Sequence, residues 1–347
     1  MENLSEAIIY KLLFNTPAHF GEDTTGLEFS LEYLHSDTLF GAICNGWLAL
    51  FGSESLVDLL TELEAYGDGL KDSYPFLLSS AFIFSEDKFY FPKPLAELPD
   101  PPQVLINNPD LAKAFKDANF VEKEMWVKWV SRNPVIINDA ATIEQLQAYK
   151  QTFLLGLQSR NYVPQYAADT TPYYCRSVNY MSDQGKESGL FFAVRFGREG
   201  LQEQFENVLT FLEKEGVGGE RSSGYGFFKS ERYHQTLENL LGNYTQGRPP
   251  TSYITLSLTY PDFIPGENGL ENWRYALVRR RGYTSPQISP QMLRRKKNLL
   301  LFTEGSSYLG KAPRGRMLEV TPQRWSASTK IYRYGLAFPL PCFANLE

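Results

Sequence analysis

A chain of 347 residues, 43% hydrophobic, 14% aromatic and 21% charged, is long enough for about two domains and has globular composition, which excludes disordered and fibrous classes. Its 34 Lys and Arg against 40 Asp and Glu give a net charge of −6, which taken over the whole chain argues against a protein that grips polyanions. Cys44, Cys175 and Cys342 lie far apart, the three histidines are scattered, and no apolar stretch approaches the roughly 18 residues of a membrane span; we therefore expect no disulfide framework, no metal site, no cofactor and no membrane contact, in a reducing cytoplasm.

The total hides a polarised chain. Divided at the loop Asn243–Pro250, the front part carries 20 basic and 34 acidic residues and the tail from Thr251 carries 14 basic and 6 acidic ones. A basic module joined to an acidic one suits a protein that touches nucleic acid on one side and protein on another, and equally suits two solvated surfaces.

In chain order, Ala7–Asn15 (AIIYKLLFN) reads as a buried strand closed by Pro17. After a loop through Gly21 and Gly26, Ser36 can cap a helix with Asp37 in its first turn; Phe40, Ile43, Cys44, Trp47, Leu48 and Phe51 follow at helical spacing until Gly52. Phe76–Phe84 and Lys88–Phe91 form a hairpin pattern about Ser85-Glu86-Asp87, and Pro92, Pro94, Pro99, Pro101 and Pro102 then open an insertion over about 92–189. Leu190–Phe196 is an apolar strand, Leu201, Phe205, Val208, Leu209 and Leu212 mark a second amphipathic helix ending at Gly216, and Tyr225–Lys229 resumes as a strand. This is an α+β fold whose first domain, 1–242, has the βαββαβ order of a ferredoxin-like (RRM-like) module with a long insertion. In 251–347, Tyr253–Tyr260 alternates as a half-buried strand, and Tyr275–Arg279, Leu299–Phe302, Met317–Val320 and Ile331–Phe338 are further strand candidates, so the second domain is β-rich.

The segment Gly216–Gly226 (GVGGERSSGYG) carries five glycines in eleven residues. It lacks the lysine of a phosphate-binding P-loop, and it leaves a helix for a strand where a dinucleotide fingerprint does the reverse. What remains is an amide-rich loop in which Gly218, Gly219, Gly224, Arg221, Ser222 and Ser223 could contact a sugar-phosphate chain and Tyr225 could stack on a base. A loose turn with a solvent-facing arginine has the same composition.

Three segments together, Pro17-Ala18-His19-Phe20-Gly21, His35-Ser36-Asp37-Thr38-Leu39-Phe40 and GVGGERSSGYGFF, resemble the RAMP superfamily of CRISPR proteins. Within it, HSDTLF, the Cys44-Asn45-Gly46-Trp47 helix and the chain length are most similar to the family of fourth subunits of the type III-A (Csm) effector complex. The resemblance implies a pair of ferredoxin-like modules, a non-enzymatic role capping the complex at the 5′ end of the crRNA by holding its repeat-derived 5′ handle, and docking to the large polymerase-like subunit and the repeated backbone RAMP subunit.

Other candidate contacts lie outside the glycine-rich segment. His35 and Ser36, at a helix N-terminus, suit a phosphate contact or a cap; related crRNA-processing enzymes of the superfamily suggest an alternative, a metal-independent endoribonuclease with His35 as general acid or base. The stretch Arg160–Met181 interleaves Arg160 and Arg176 with Tyr162, Tyr166, Tyr173, Tyr174 and Tyr180, a composition suited to single-stranded RNA or to a hairpin packed on the body. Lys229 follows the glycine loop. The tail's basic clusters, Arg279–Arg281, Arg294–Lys297 and the looser Lys311, Arg314 and Arg316, suggest phosphate contacts. Carboxylates such as Asp37 with Glu32 read as surface groups.

Overall fold

A computed structural model describes residues 6–21, 26–98, 105, 107–133, 135, 139–162, 171–180, 187–261, 270–284, 294–322 and 330–343; Tyr166, Pro99, Pro101 and Pro102 lie outside them. The apolar N-terminal run forms β1 (Ile8–Phe14). Helix α1 (Ser36–Gly67) begins where the periodicity places it, but it continues past Gly52, whose φ of 81° and ψ of 175° break it into two segments. Trp47 Nε1 donates to Ser55 Oγ across that break at 3.0 Å. The expected hairpin is β3 (Phe82–Ser85) with β4 (Lys88–Pro92), preceded by β2 (Phe76–Leu78).

The insertion holds more regular structure than its prolines suggest. It contains α2 (Pro109–Asp117), β5 (Phe120–Glu122), α3 (Lys123–Val130), α4 (Asp139–Gln147) and a two-stranded ribbon of β6 (Leu154–Tyr162) and β7 (Thr171–Asn179). Then come β8 (Ser188–Phe196), α5 (Leu201–Glu215), β9 (Phe228–Thr236) and the short α6 (Leu237–Leu241). These strands make one seven-stranded antiparallel sheet in the order β5-β4-β3-β8-β1-β9, with β2 also paired to β8. The helices α1 and α5 cross closely at Gly46, where a Cβ would stand 2.8 Å from Val208; here glycine sets the interaxial distance.

The tail forms a smaller antiparallel sheet. Its strands are β10 (Ser252–Thr255), β11 (Trp273–Arg274), β14 (Ser307–Leu309) and β17 (Pro339–Cys342), ordered β11-β14-β10-β17, with the ribbons β12 (Leu277–Arg280)–β13 (Leu299–Phe302) and β15 (Leu318–Glu319)–β16 (Tyr332–Arg333) beside it. Among the described residues the tail carries a 3₁₀ turn at Leu270–Asn272 and no α-helix, whereas a βαββαβ unit needs two. The fold is therefore mixed α+β with several antiparallel sheets. Among the described residues no helix is long and apolar enough to cross a membrane.

The two sheets share a core. Ile254, Leu256, Tyr334, Leu336 and Phe338 belong to the same buried cluster as Ile9, Phe40, Phe76 and Phe205. Tyr334 is fully buried, its ring 4.9 Å from Phe40, and its hydroxyl accepts from Leu78 N–H at 2.8 Å. Between β2 and β3 the chain leaves the sheet, and Ser80 N–H donates to Leu256 C=O of the tail at 2.8 Å.

Because one core spans both sheets, the chain should unfold in a single transition. Tyr334→Phe leaves the Leu78 N–H buried without its acceptor and should lower stability by about 1–3 kcal/mol while keeping that transition single, as read by denaturant melts followed with far- and near-ultraviolet circular dichroism.

Candidate nucleic-acid interface

The glycine-rich segment leaves α5 at Gly216 and turns through a short 3₁₀ stretch at Arg221–Ser223. Gly216, Gly218, Gly224 and Gly226 have φ between 74° and 91°, the left-handed region that glycine enters without cost. Its inner half is fitted against the segment after β1. A Cβ on Gly218 would stand 2.5 Å from the His19 carbonyl oxygen, Gly219 N–H donates to that same oxygen at 2.8 Å, and Gly226 N–H donates to Pro17 C=O at 2.8 Å. The N–H groups of Ser223, Gly224 and Tyr225 are used inside the loop, on Glu220 and Arg221 carbonyls. Two of the loop's amides, those of Gly219 and Gly226, thus hold it to PAHFG, and others are spent within it. Among the described residues the N–H groups of Gly218, Arg221 and Ser222 have no acceptor. Arg221 is half-buried, and Ser222, Ser223 and Gly224 are exposed.

Opposite the loop stands the start of α1, and here the reading of His35, Ser36 and Asp37 is corrected. His35 and Ser36 are 3% and 0% exposed, so they face the tail and not solvent. His35 Nδ1 pairs with Glu304 Oε1 at 2.8 Å, Ser80 Oγ donates to the same oxygen, and Ser36 Oγ accepts from Leu258 N–H at 3.0 Å. The His35 ring, which borders the cavity lined by Tyr33 and Tyr283, is thus spent on the contact between the front part and Glu304. Asp37 is not a surface carboxylate either. Arg280 grips it with Nε on Oδ2 and Nη2 on Oδ1, both at 2.9 Å, and Arg333 Nη1 donates to Oδ2. Burial alone would raise the Asp37 pKa, but the two guanidinium groups overcome it and hold the carboxyl well below the usual carboxylate range.

The tail's first two basic clusters are one structure. Tyr283 bridges to Arg295, Thr284 N–H donates to Arg294 C=O, and Lys296 N–H donates to Gly282 C=O, so the two arginine-rich runs lie side by side. Together with the glycine loop and α1 they wall a cleft of about 330 Å³ whose lining includes Arg221, Arg280, Arg281, Lys296 and Arg333, with Asp37 as its carboxylate. The Lys296 pKa is lowered, by burial first and by Arg333 next, with Asp37 opposing both. An adjoining cavity of about 570 Å³ shares Gly21, Thr38, Gly218, Arg280 and Gly282 with the cleft and adds Phe20, Leu31, Tyr33 and the 55% exposed Tyr283. A cationic trough beside a ring-lined hollow has the chemistry to take a phosphate chain and an unstacked base.

Other expected contacts are placed elsewhere. Tyr225 is 3% exposed, its hydroxyl donates to Gln158 Oε1 at 2.8 Å, and the Arg160 guanidinium covers its ring at 4.5 Å; stacking on a base is therefore closed to it. Arg160 also pairs with Glu220 at 3.5 Å, tying the β6–β7 ribbon to the loop. The Arg176 guanidinium lies 5.7 Å from the Phe29 ring, and Tyr180 is buried with its hydroxyl on Glu32 C=O. Lys229 sits exposed on β9 and pairs with Glu231 of the same strand at 2.9 Å. Arg314 reaches Asp72 at 2.7 Å beyond the end of α1, so it does not line the cleft. Arg333, Tyr332 and Tyr33, which do line these cavities, carry no local sequence signal; the glycine loop with Arg221 and the basic runs Arg279–Arg281 and Arg294–Lys297 pointed toward the site.

Residues 11–229 match the family model of the RAMP superfamily, and residues 249–342 match that of the CRISPR Csm4 C-terminal domain. A curated protein named "CRISPR system Cms protein Csm4", from Thermococcus onnurineus (strain NA1), is 24% identical over 311 residues, 88% of this chain and 90% of its own length. Among solved structures, a Csm1-Csm4 cassette in complex with cA4 is similar with a TM-score of 0.61 at 19% identity, covering 98% of this chain and 99% of that one. A Csm3-Csm4 subcomplex of the type III-A CRISPR-Cas interference complex is similar with a TM-score of 0.59 at 18% identity, covering 97% and 99%.

Gly218→Ala places a Cβ against His19 at positive φ and should cost more than about 1 kcal/mol, measured as a shift in denaturation midpoint. The Asp37 cluster predicts a pH signature. A depressed folded pKa contributes stability that is fully present above the unfolded carboxylate range, about pH 4, and is lost as pH falls below it. The stability gap between wild type and Asp37→Asn should be about 3–5 kcal/mol at neutral pH and should close on acidification.

Proposed function

The chain belongs to the RAMP superfamily, and from that premise we propose that it is a non-catalytic crRNA-binding subunit of a type III-A CRISPR interference complex, capping the 5′ end by holding the repeat-derived handle. The observation that carries this reading is the convergence, on one cleft at the start of α1, of Arg221 from the glycine loop with Arg280, Arg281 and Lys296 from the tail. Cations there would neutralise phosphates, and the neighbouring rings of Tyr33 and Tyr283 would receive a base. Gly218, Gly219 and Gly224 shape the loop, and Arg160 and Arg176 brace the β6–β7 ribbon beside it.

Two further parts of the proposal rest on the relatives and on the strand order. By analogy with the Csm1-Csm4 and Csm3-Csm4 assemblies, the chain docks a large polymerase-like subunit and a repeated backbone RAMP subunit, in the cytoplasm. The front domain, up to about residue 242, is read as ferredoxin-like: the order β9-β1-β8-β3, with α1 after β1 and α5 after β8, is what a βαββαβ unit produces. The division from the tail falls in Asn243–Pro250.

The test is retention of handle-bearing crRNA by the assembled complex carrying Arg221→Glu or Lys296→Ala. Each should weaken RNA binding at every handle sequence and lower the slope of log affinity against log salt by about 0.7 per lost phosphate contact. Unchanged handle protection, complex yield and salt slope would remove the cleft from the RNA path.

A further inference from the structure

The cleft contains a carboxylate, and a site for a polyanion gains nothing electrostatic from one. We propose that Asp37 is a positioning residue for RNA: its buried carboxylate fixes the guanidinium groups of Arg280 and Arg333 in the plane and direction in which their remaining N–H groups meet a phosphate. The inference rests on the reading of the cleft as an RNA site.

Three features support it. Asp37 binds Arg280 through both carboxylate oxygens and also binds Arg333, so the two forks share one rigid anchor. A bidentate pair fixes orientation as well as distance. Arg280 and Arg333 are only 5% and 9% exposed, and buried cations stripped of their counter-charge would leave for solvent. Both nevertheless line the cleft, and among the described residues Arg280 Nη1 has no acceptor. Arg333 is braced a second time, by donating to the Arg281 carbonyl.

Asp37 also acts on Lys296. The groups facing that ammonium are Arg333 and Arg280, which lower its pKa along with burial, and Asp37 and Cys44, which raise it. Removing the Asp37 charge lowers the Lys296 pKa further, so the lysine loses its proton, and its hold on a phosphate, at a lower pH.

The experiment titrates full-length wild type and Asp37→Asn with a labelled single-stranded RNA bearing the repeat-derived 5′ sequence, across salt and from neutral to alkaline pH, with circular dichroism to verify folding. Simple electrostatics predicts tighter binding on loss of a negative charge. Positioning predicts the opposite: folded Asp37→Asn should bind on the order of ten-fold more weakly, with a smaller salt slope and an alkaline fall-off displaced to lower pH. Equal or tighter binding by the folded variant overturns the inference. Arg280→Lys, which keeps the charge and loses the fork, should weaken binding in the same way, and it decides the question alone if Asp37→Asn does not fold; unchanged affinity overturns the inference there too. Arg221→Glu and Lys296→Ala serve as controls on the site itself. If they leave affinity unchanged, RNA lies elsewhere and the reading of the cleft fails; if they weaken binding and the Asp37 and Arg280 variants do not, only the positioning role fails.

Discussion

One buried carboxylate organises this molecule. Asp37 stands in the first turn of α1 and is reached by two arginines 243 and 296 residues further along the chain. Its neighbour His35 meets Glu304, and Ser36 receives the Leu258 amide. Three consecutive residues therefore close the junction between the two sheets, each through a specific polar contact with the tail. A network of this kind is costly when half-made, which ties the position of the tail's arginine ribbon to the folding of the first helix. The cleft exists because that junction forms.

The charge asymmetry of the chain acquires a structural meaning at the same place. An acidic front part and a basic tail attract, and some of that attraction is realised in named contacts: Arg280 and Arg333 on Asp37 and Arg314 on Asp72. The reverse pairing, a tail carboxylate with a front-part base, occurs in Glu304 with His35. Arginines left over on the cleft side give a local positive field that a whole-chain charge of −6 conceals. Net charge sums over distances much longer than a Debye length of about 8–10 Å, so it says little about what one cleft can bind.

Periodicity made the front sheet readable: β1, the first segment of α1, the β3–β4 hairpin, β8 and α5 all follow from apolar spacing bounded by glycine and proline. The small tail strands were harder, because two- to four-residue strands barely register a period, and the expected Ile331–Phe338 run is regular only at Tyr332–Arg333. At the site, sequence reasoning saw residue types but not facing directions. Tyr225 has the ring a base would stack on and uses it to pack under Arg160. Asp37 looked like an ordinary helix-dipole carboxylate because its partners are separated from it by most of the chain. The glycines of the loop read as donors to a ligand, while Gly218 and Gly219 serve close approach to His19 and Phe20, and Gly216 and Gly226 close approach within the loop.

The ends of the large sheet carry a consequence for how copies of this chain meet. One edge is β9 (FKSERYHQT), studded with Lys229, Glu231, Arg232 and His234; the other is the three-residue β5, whose chain passes directly into α3. Neither presents a long, flat, apolar row of unpaired backbone groups. Two copies meeting at these edges therefore find no template for adding strand to strand, and lateral fusion through the large sheet is disfavoured. Association along the large sheet is left to side-chain surfaces, which can tell one neighbour from another.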